Sequence, residues 1–204
     1  ADYHTNLRDR PVRAQTAPGD VAALIAPSAP EGPHPMTEIM EDFERVVMPG
    51  ITHWQHPRFF AYFPANAAPP SMLAEMLVST IAAQCMLWQT SPAATEMETV
   101  MLDWLRQAIG LPAQFSGVIQ DSASSATLAA VLTMRERALN WQGNQAGLSG
   151  AVRLRIYCSA EVHTSVDRAI WVSGVGQDNL VRIPIAGKLR GMDSVALKAA
   201  IQAD

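Results

Sequence analysis

The sequence predicts an α/β protein: an N-terminal extended arm and helices, then the first half of an α/β domain whose sheet is incomplete. Three observations carry that reading. Six of the 14 prolines fall within residues 1–35. Apolar residues take up helical spacing from Met36 onward. From residue 115 short β-type runs alternate with helix-type runs, the grammar of right-handed βαβ units in an open sheet.

Length and composition set the bounds. A chain of 204 residues suits one large domain or one and a half. Hydrophobic residues at 49% and charged residues at 17% are a globular balance that excludes wholesale disorder. A net charge of −4 gives no reason to expect nucleic acid or an anionic membrane as partner. No apolar run approaches a membrane span, and "VAALIA" (21–26), closed by Pro27, is too short for a signal peptide. Cys85 and Cys158 form no C-x-x-C pair and sit in apolar contexts, so both are expected as buried thiols. A cytoplasmic location follows as the default.

The elements read in order as follows. The proline-rich arm has little core of its own, so it is expected to lie on a partner subunit. Met36, Ile39, Met40, Phe43, Val46 and Val47 predict a helix that Pro49-Gly50 stops. Residues 51–70 form an aromatic loop, broken by prolines 57, 64, 69 and 70. A second helix runs from Ser71 to about Gln89. A third has Ser91 as N-cap and Pro92 in its first turn. Its stripe is Met97, Val100, Met101, Trp104, Leu105 and Ala108, and Gly110 and Pro112 close it. Then come a strand (115–120), a helix (124–141), a loop (143–150), a strand (152–158), a helix (163–173), a strand (180–185) and a last helix capped by Asp193. Residues 1–70 are expected to form the N-terminal arm, helix and aromatic loop, and 71–204 the first part of an incomplete α/β domain. Three strands with this many helices leave a parallel sheet short of partners, so more sheet is expected elsewhere.

The segment "VIQDSASSATLAAVL" (118–132) carries the chemistry. Asp121, Ser122, Ala123, Ser124 and Ser125 crowd small polar residues onto a strand-to-helix junction. Ligands of open α/β sheets bind at such junctions, and free N–H groups at a helix start suit an anion such as phosphate. Neither a G-x-G-x-x-G nor a G-x-x-x-x-G-K-[ST] motif is present, so dinucleotide and Walker-type sites are unsupported. On composition alone a serine-rich cap with no ligand explains the segment as well. Taken alone, His163 is an ordinary surface histidine at a helix start. His53 and His56 lack a third or fourth ligand nearby, so no metal is expected.

"NLRDRPV", "VVMPGITHWQHP", "HPRFFAYFPANAAPPSMLAEML", "SPAATEMETVMLDWL", "GVIQDSASSATLAAVL" and "HTSVDRA" together resemble the pyridoxal-phosphate-dependent group II amino-acid decarboxylases. Their aromatic-L-amino-acid branch matches best. The resemblance runs in order along nearly the whole chain. It implies a PLP-dependent transferase fold of type I, with this chain as the first half of the large domain.

The resemblance also implies roles. Ser122, Ala123 and Ser124 would hold the phosphate of pyridoxal 5'-phosphate. His163 would stack on its ring and assist proton movement as the catalytic residue. Some aldehyde-forming members carry asparagine there, so His163 leans toward decarboxylation. Trp54, Tyr62, Phe63, Pro64 and Ala65 would wall the pocket of an aromatic amino-acid substrate, with Gln84 and Met86 reaching a neighbouring subunit's pocket. Ala65 stands where animal homologues tend to have threonine. Asp121 stands where the family often has glycine, so its carboxylate is expected to point away from a phosphate and to cap the helix. A homodimer is implied. The Schiff-base lysine and the acidic partner of the pyridine nitrogen match no segment. The two lysines, Lys188 and Lys198, are expected to be solvated, so a C-terminal remainder, in the same or a separate chain, would supply that lysine. The competing readings are an aromatic aldehyde synthase, a decarboxylase of another amino acid, and a non-catalytic α/β interaction module.

Overall fold

The computed structural model describes residues 2–63 and 67–204, so Pro64 and Ala65 lie outside the described residues. The chain forms two compact units, Ala1–Gln84 and Cys85–Asp204.

The first unit holds α1 (Asp2–Thr5), 3-10 turns at Leu7–Asp9 and Ala22–Leu24, α2 (Met36–Asp42) and α3 (Pro69–Ile81). The arm is not bare of core. Leu7 is buried, as are Val46 and Met48. The His53 N–H donates to Val12 O at 2.9 Å, and the Ala14 N–H donates to Thr52 Oγ1 at 3.3 Å. Around Val12–Ala14 the arm therefore lies on Thr52 and His53 of its own chain. α2 does not run on as one α-helix to Val47. It widens into a π turn at Phe43–Val47 and tightens into a 3-10 turn at Met48–Gly50. Pro49 has no N–H to continue the ladder, and its ring crowds the preceding turn. α3 ends at Ile81, short of the expected Gln89. Ala82 takes a left-handed conformation (φ 50°) and its N–H caps Val78 O. Val78, Ser79, Thr80 and Ile81 are weak helix formers, which favours the stop.

The second unit opens with α4 (Pro92–Ala108), with Pro92 in its first turn as expected; Ser91 stands at the cap position, but its side chain makes no capping hydrogen bond. Next come α5 (Ala123–Ala138), α6 (Gly143–Ala146), β1 (Ile156–Ser159), α7 (Ser165–Ser173) and β2 (Leu180–Ile183). β1 and β2 pair in parallel, Ile156 opposite Leu180 and Ser159 opposite Ile183, with α7 as the crossover. This is the βαβ unit that the alternation predicted. The core joins Val131 of α5 to Ala169 and Ile170 of α7, with Val175, and Leu128, Val166, Ile156 and Leu180 pack around it. β3 (Ile185–Ala186) and β4 (Gly191–Met192) form a small antiparallel pair that sequence reading missed. α8 (Ser194–Ala203) closes the chain, and Asp193 accepts the N–H groups of Val195 and Ala196 as its cap.

Three further expectations need correction. Residues 115–120 form no strand. The Ile119 N–H donates to Glu98 Oε1 at 2.7 Å, and a β-type run without a ladder neighbour is not a strand. Residues 143–146, expected as loop, make a helical turn clasped to the end of α5. There buried Glu136 accepts the Asn144 N–H at 3.0 Å and pairs with Arg135. Gly143 is needed at this point, because a Cβ would stand 2.4 Å from Glu136 Oε1. Finally, Cys85 is exposed, since α3 stops before it, whereas Cys158 is buried on β1 and burial pushes its thiol pKa up.

Candidate functional site

The junction at 121–125 is a helix start. Ser122 has extended backbone (φ −154°, ψ 162°), and its Oγ accepts the Ser125 N–H at 3.3 Å. The cap is therefore Ser122, one residue past the Asp121 expected in that role. Ser can reach the N–H three residues on while its own carbonyl accepts the first helical bond, here from Ala126. The N–H groups of Ala123 and Ser124 precede that first bond, so they face out of the helix end. Ser122, Ala123 and Ser124 are all exposed. The Ser122 hydroxyl accepts the Ser125 N–H and lies 3.1 Å from the Ser125 hydroxyl, a contact in which either can donate. Ala123 adds no bulk. Two outward N–H groups, two hydroxyls and the positive end of a 16-residue helix form a cradle for a dianion.

His163 lies between β1 and α7, past the carboxyl end of the strand. Its Nδ1 accepts the Ser165 N–H at 3.1 Å. A ring nitrogen that accepts carries no proton, so the neutral imidazole holds its proton on Nε2. The side chain is exposed.

Are the serines and His163 at the same end? The helices answer. Near the end of α5, Arg135 donates to Ser173 O, the last residue of α7. Leu128 and Val131 of α5 meet Val166, Ala169 and Ile170 of α7. The two helices therefore run in the same direction, and their N-termini share one end. From Arg135 back to Ala123 is about 18 Å of helix, and from Ser173 back to Ser165 about 12 Å. The starts of α5 and α7 thus lie at the same end of the unit. Ser122, Ser124 and His163 lie on one rim, the carboxyl edge of β1.

The aromatic segment belongs to the first unit. Trp54 stacks on Phe59 (ring centroids 4.9 Å apart, 28° between planes) and on Tyr62 (5.6 Å, 16°). Tyr62 and Phe63 are exposed. Gln84 and Met86 are exposed in the irregular stretch between α3 and α4. His53 and His56 are buried, at 2% and 4% exposure. His53 Nδ1 bonds the Tyr3 hydroxyl at 2.9 Å, and burial, with Arg10 and His56 nearby, holds its pKa below the usual histidine value. Sequence reading placed Ser125 at the junction and Phe59 in the aromatic loop but gave neither a contact; the N–H and hydroxyl of Ser125 both meet Ser122, and Phe59 is the third ring of the stack. The capping spacing Ser122-x-x-Ser125 was a legible signal for the first; a ring beyond a proline turn gave none for the second.

An α/β unit with an exposed helix start and a histidine at the same end is a candidate anion site. The comparisons narrow the class. Residues 18–204 match the pyridoxal-dependent decarboxylase conserved domain. The chain belongs to that family. It is 42% identical over 216 residues to an aromatic-L-amino-acid decarboxylase of Sus scrofa, covering 100% of this chain and 44% of that protein. It is 37% identical over 185 residues to a phenylacetaldehyde synthase of Arabidopsis thaliana, covering 88% and 37%. A solved Catharanthus roseus tryptophan decarboxylase in complex with L-tryptophan superposes with TM-score 0.90 at 32% identity, over 99% of this chain and 43% of that one. The chain thus spans under half the length of these relatives, and its fold is the N-terminal part of theirs, as expected. Pyridoxal phosphate is the family's cofactor, and the cradle at Ser122–Ser124 fits its phosphate in charge, donor set and lack of bulk. Among the described residues, no helix is long and apolar enough to cross a membrane.

Proposed function

We propose that the chain works in a pyridoxal-phosphate-dependent decarboxylase that converts an L-amino acid, with an aromatic one as first choice, to its amine and CO2. The observation that supports this best is the shared rim: a phosphate-type helix start and a histidine whose Nε2 bears the proton. When bound, the cofactor supplies the electron sink for loss of the carboxylate. The chain's own residues do the rest. Ser122, Ser124 and the N–H groups of Ala123 and Ser124 grip the phosphate. His163 would stack on the ring and, from Nε2, could hold or deliver a proton near the reacting carbon. Trp54, Tyr62, Phe63, Pro64 and Ala65 wall the substrate side chain, and Gln84 and Met86 contribute to a neighbouring subunit's pocket. The kinship to both decarboxylases and an aldehyde synthase makes the aldehyde-forming reaction the second reading. Assay of the holoenzyme decides. Amine and CO2 are expected; aldehyde, ammonia and hydrogen peroxide would overturn the first reading.

The division of labour in the chain follows the same reading. Residues 1–70 serve dimerisation and the substrate wall, and 71–204 serve the cofactor. A homodimer in the cytoplasm is the proposed state. Met36, Ile39, Met40 and Phe43 of the α2 region are exposed apolar side chains that a second subunit would cover. Lys188, in the turn between β3 and β4, and Lys198, on α8, are both exposed. Neither sits in an enclosed apolar pocket of the kind a Schiff-base lysine uses. The lysine that anchors the cofactor is therefore proposed to come from a C-terminal remainder of the enzyme, in the same or a separate chain. Borohydride reduction of the loaded enzyme followed by peptide mapping should find the label outside residues 1–204. Stoichiometric label on Lys188 or Lys198 would refute this.

A further inference from the structure

Tyr62 stands in the left-handed region of backbone space (φ 56°) and is 82% exposed. A bulky residue rarely adopts that conformation, and it persists only where surrounding contacts hold it. Its ring stacks on Trp54, and Trp54 in turn stacks on Phe59. Of the three phenylalanines in 59–63, Phe60 (91%) and Phe63 (99%) face outward, while Phe59 is turned inward and half-buried.

The backbone explains how Phe59 reaches Trp54. The His56 N–H donates to His53 O, and the Phe59 N–H donates to His56 O, so two successive turns cover 53–59. The buried side chains of His53 and His56 peg these turns. His53 is tied to Tyr3, and His56 Nδ1 accepts the Arg58 N–H at 3.0 Å. Trp54 and Phe59 project from the pegged turns and meet face to face. The layer order is therefore fixed scaffold, then Phe59, then Trp54, then the strained and solvent-facing Tyr62.

We infer that Phe59 is a positioning residue for substrate recognition: it sets the plane of Trp54, and through it the placement of Tyr62, without touching substrate itself. This rests on the proposed reading of Trp54 and Tyr62 as substrate wall. A stacked aromatic pair is worth enough that its loss should weaken binding about 3- to 10-fold. The effect should fall on binding, because Phe59 is remote from the reacting atoms in this assignment.

The test uses the holoenzyme. Phe59→Leu keeps apolar bulk and removes the ring, with Phe59→Met as a second variant if the first loads no cofactor. Phe59→Tyr is the conservative control. The expected result is a KM for the aromatic amino acid raised about 3- to 10-fold in the Leu or Met variant, with kcat within about twofold and the cofactor absorbance band unchanged. Phe59→Tyr should restore KM. The near-ultraviolet circular dichroism of the Trp54–Tyr62 stack should weaken in the Leu variant and return in the Tyr variant. An unchanged KM, or one raised equally in the Tyr variant, overturns the inference. If the unmodified enzyme turns over no aromatic amino acid, the functional reading fails instead, and the dichroism alone then decides whether Phe59 sets the stack.

Discussion

α4 and α7 belong to the same unit, and both carry a helical apolar stripe, yet they end in opposite states. α7 buries Ser165, Ala169, Ile170 and Ser173, while α4 buries nothing. Met97, Val100, Met101, Trp104 and Leu105 all remain exposed. The difference does not lie in periodicity. It lies in connection: α7 crosses over between two paired strands and is laid onto α5 by its own neighbours in sequence. The stripe on α4 has no such neighbour. An apolar stripe predicts that a helix will form and which face will be covered; what covers it depends on topology.

The comparison can be broken at its covered end. Ile170 is fully buried, at 0% exposure. Ile170→Ala should destabilise the unit by about 2–5 kcal/mol, the usual range for emptying a core site. Urea unfolding would measure it, and a change under 1 kcal/mol (an order-of-magnitude line) would mean that the α5–α7 contact is not the core described.

The first unit sharpens the comparison with a polar element that is covered by residues remote in sequence. Burial, with Arg10 and His56 nearby, holds the His53 pKa below the 6.5 of an exposed histidine. The unfolded chain therefore binds the extra proton first as pH falls. Its contribution is fully present above pH 6.5 and is lost progressively as pH drops below that value toward the folded pKa. Melting temperature should decline over that window, and His53→Phe should flatten the decline. An unaltered pH profile in that variant would remove His53 from the account.

At the uncovered end the expected effect is smallest. Met101, 48% exposed on α4, should tolerate Ala in the isolated chain. The change should stay within about 0.5 kcal/mol. A loss of about 2 kcal/mol or more there would show that the stripe is already covered and would erase the contrast.

The sequence made some of this legible and hid the rest for physical reasons. α4 was readable at both ends because Ser91-Pro92 and Gly110-x-Pro112 are local signals. β1, α7 and β2 were readable because their alternation is local too. Residues 115–120 misled, because a β-type run becomes a strand only beside another strand, and the Ile119 N–H found Glu98 instead. The burial of His53 was hidden because Tyr3, 50 residues away, provides its partner. At the candidate site, the serine-rich helix start was legible in residues 121–125. That His163 sits at the same end was expected from its place between a strand end and a helix start; the parallel run of α5 and α7 behind it was not legible, because it depends on the tertiary bond from Arg135 to Ser173.

The central claim is that the start of α5 grips a phosphate, and cofactor affinity of Ser124→Ala tests it most directly. A charge-assisted hydrogen bond is worth roughly 1.5–3 kcal/mol, so the dissociation constant for pyridoxal phosphate should rise about tenfold or more. Pyridoxal, which lacks the phosphate, should bind the variant and the unmodified enzyme alike. Ser122→Ala should show the same selectivity, with an added loss of helix stability of about 1 kcal/mol from the missing cap. Unchanged affinity for pyridoxal phosphate in both serine variants, or equal losses for the two ligands, would contradict the assignment.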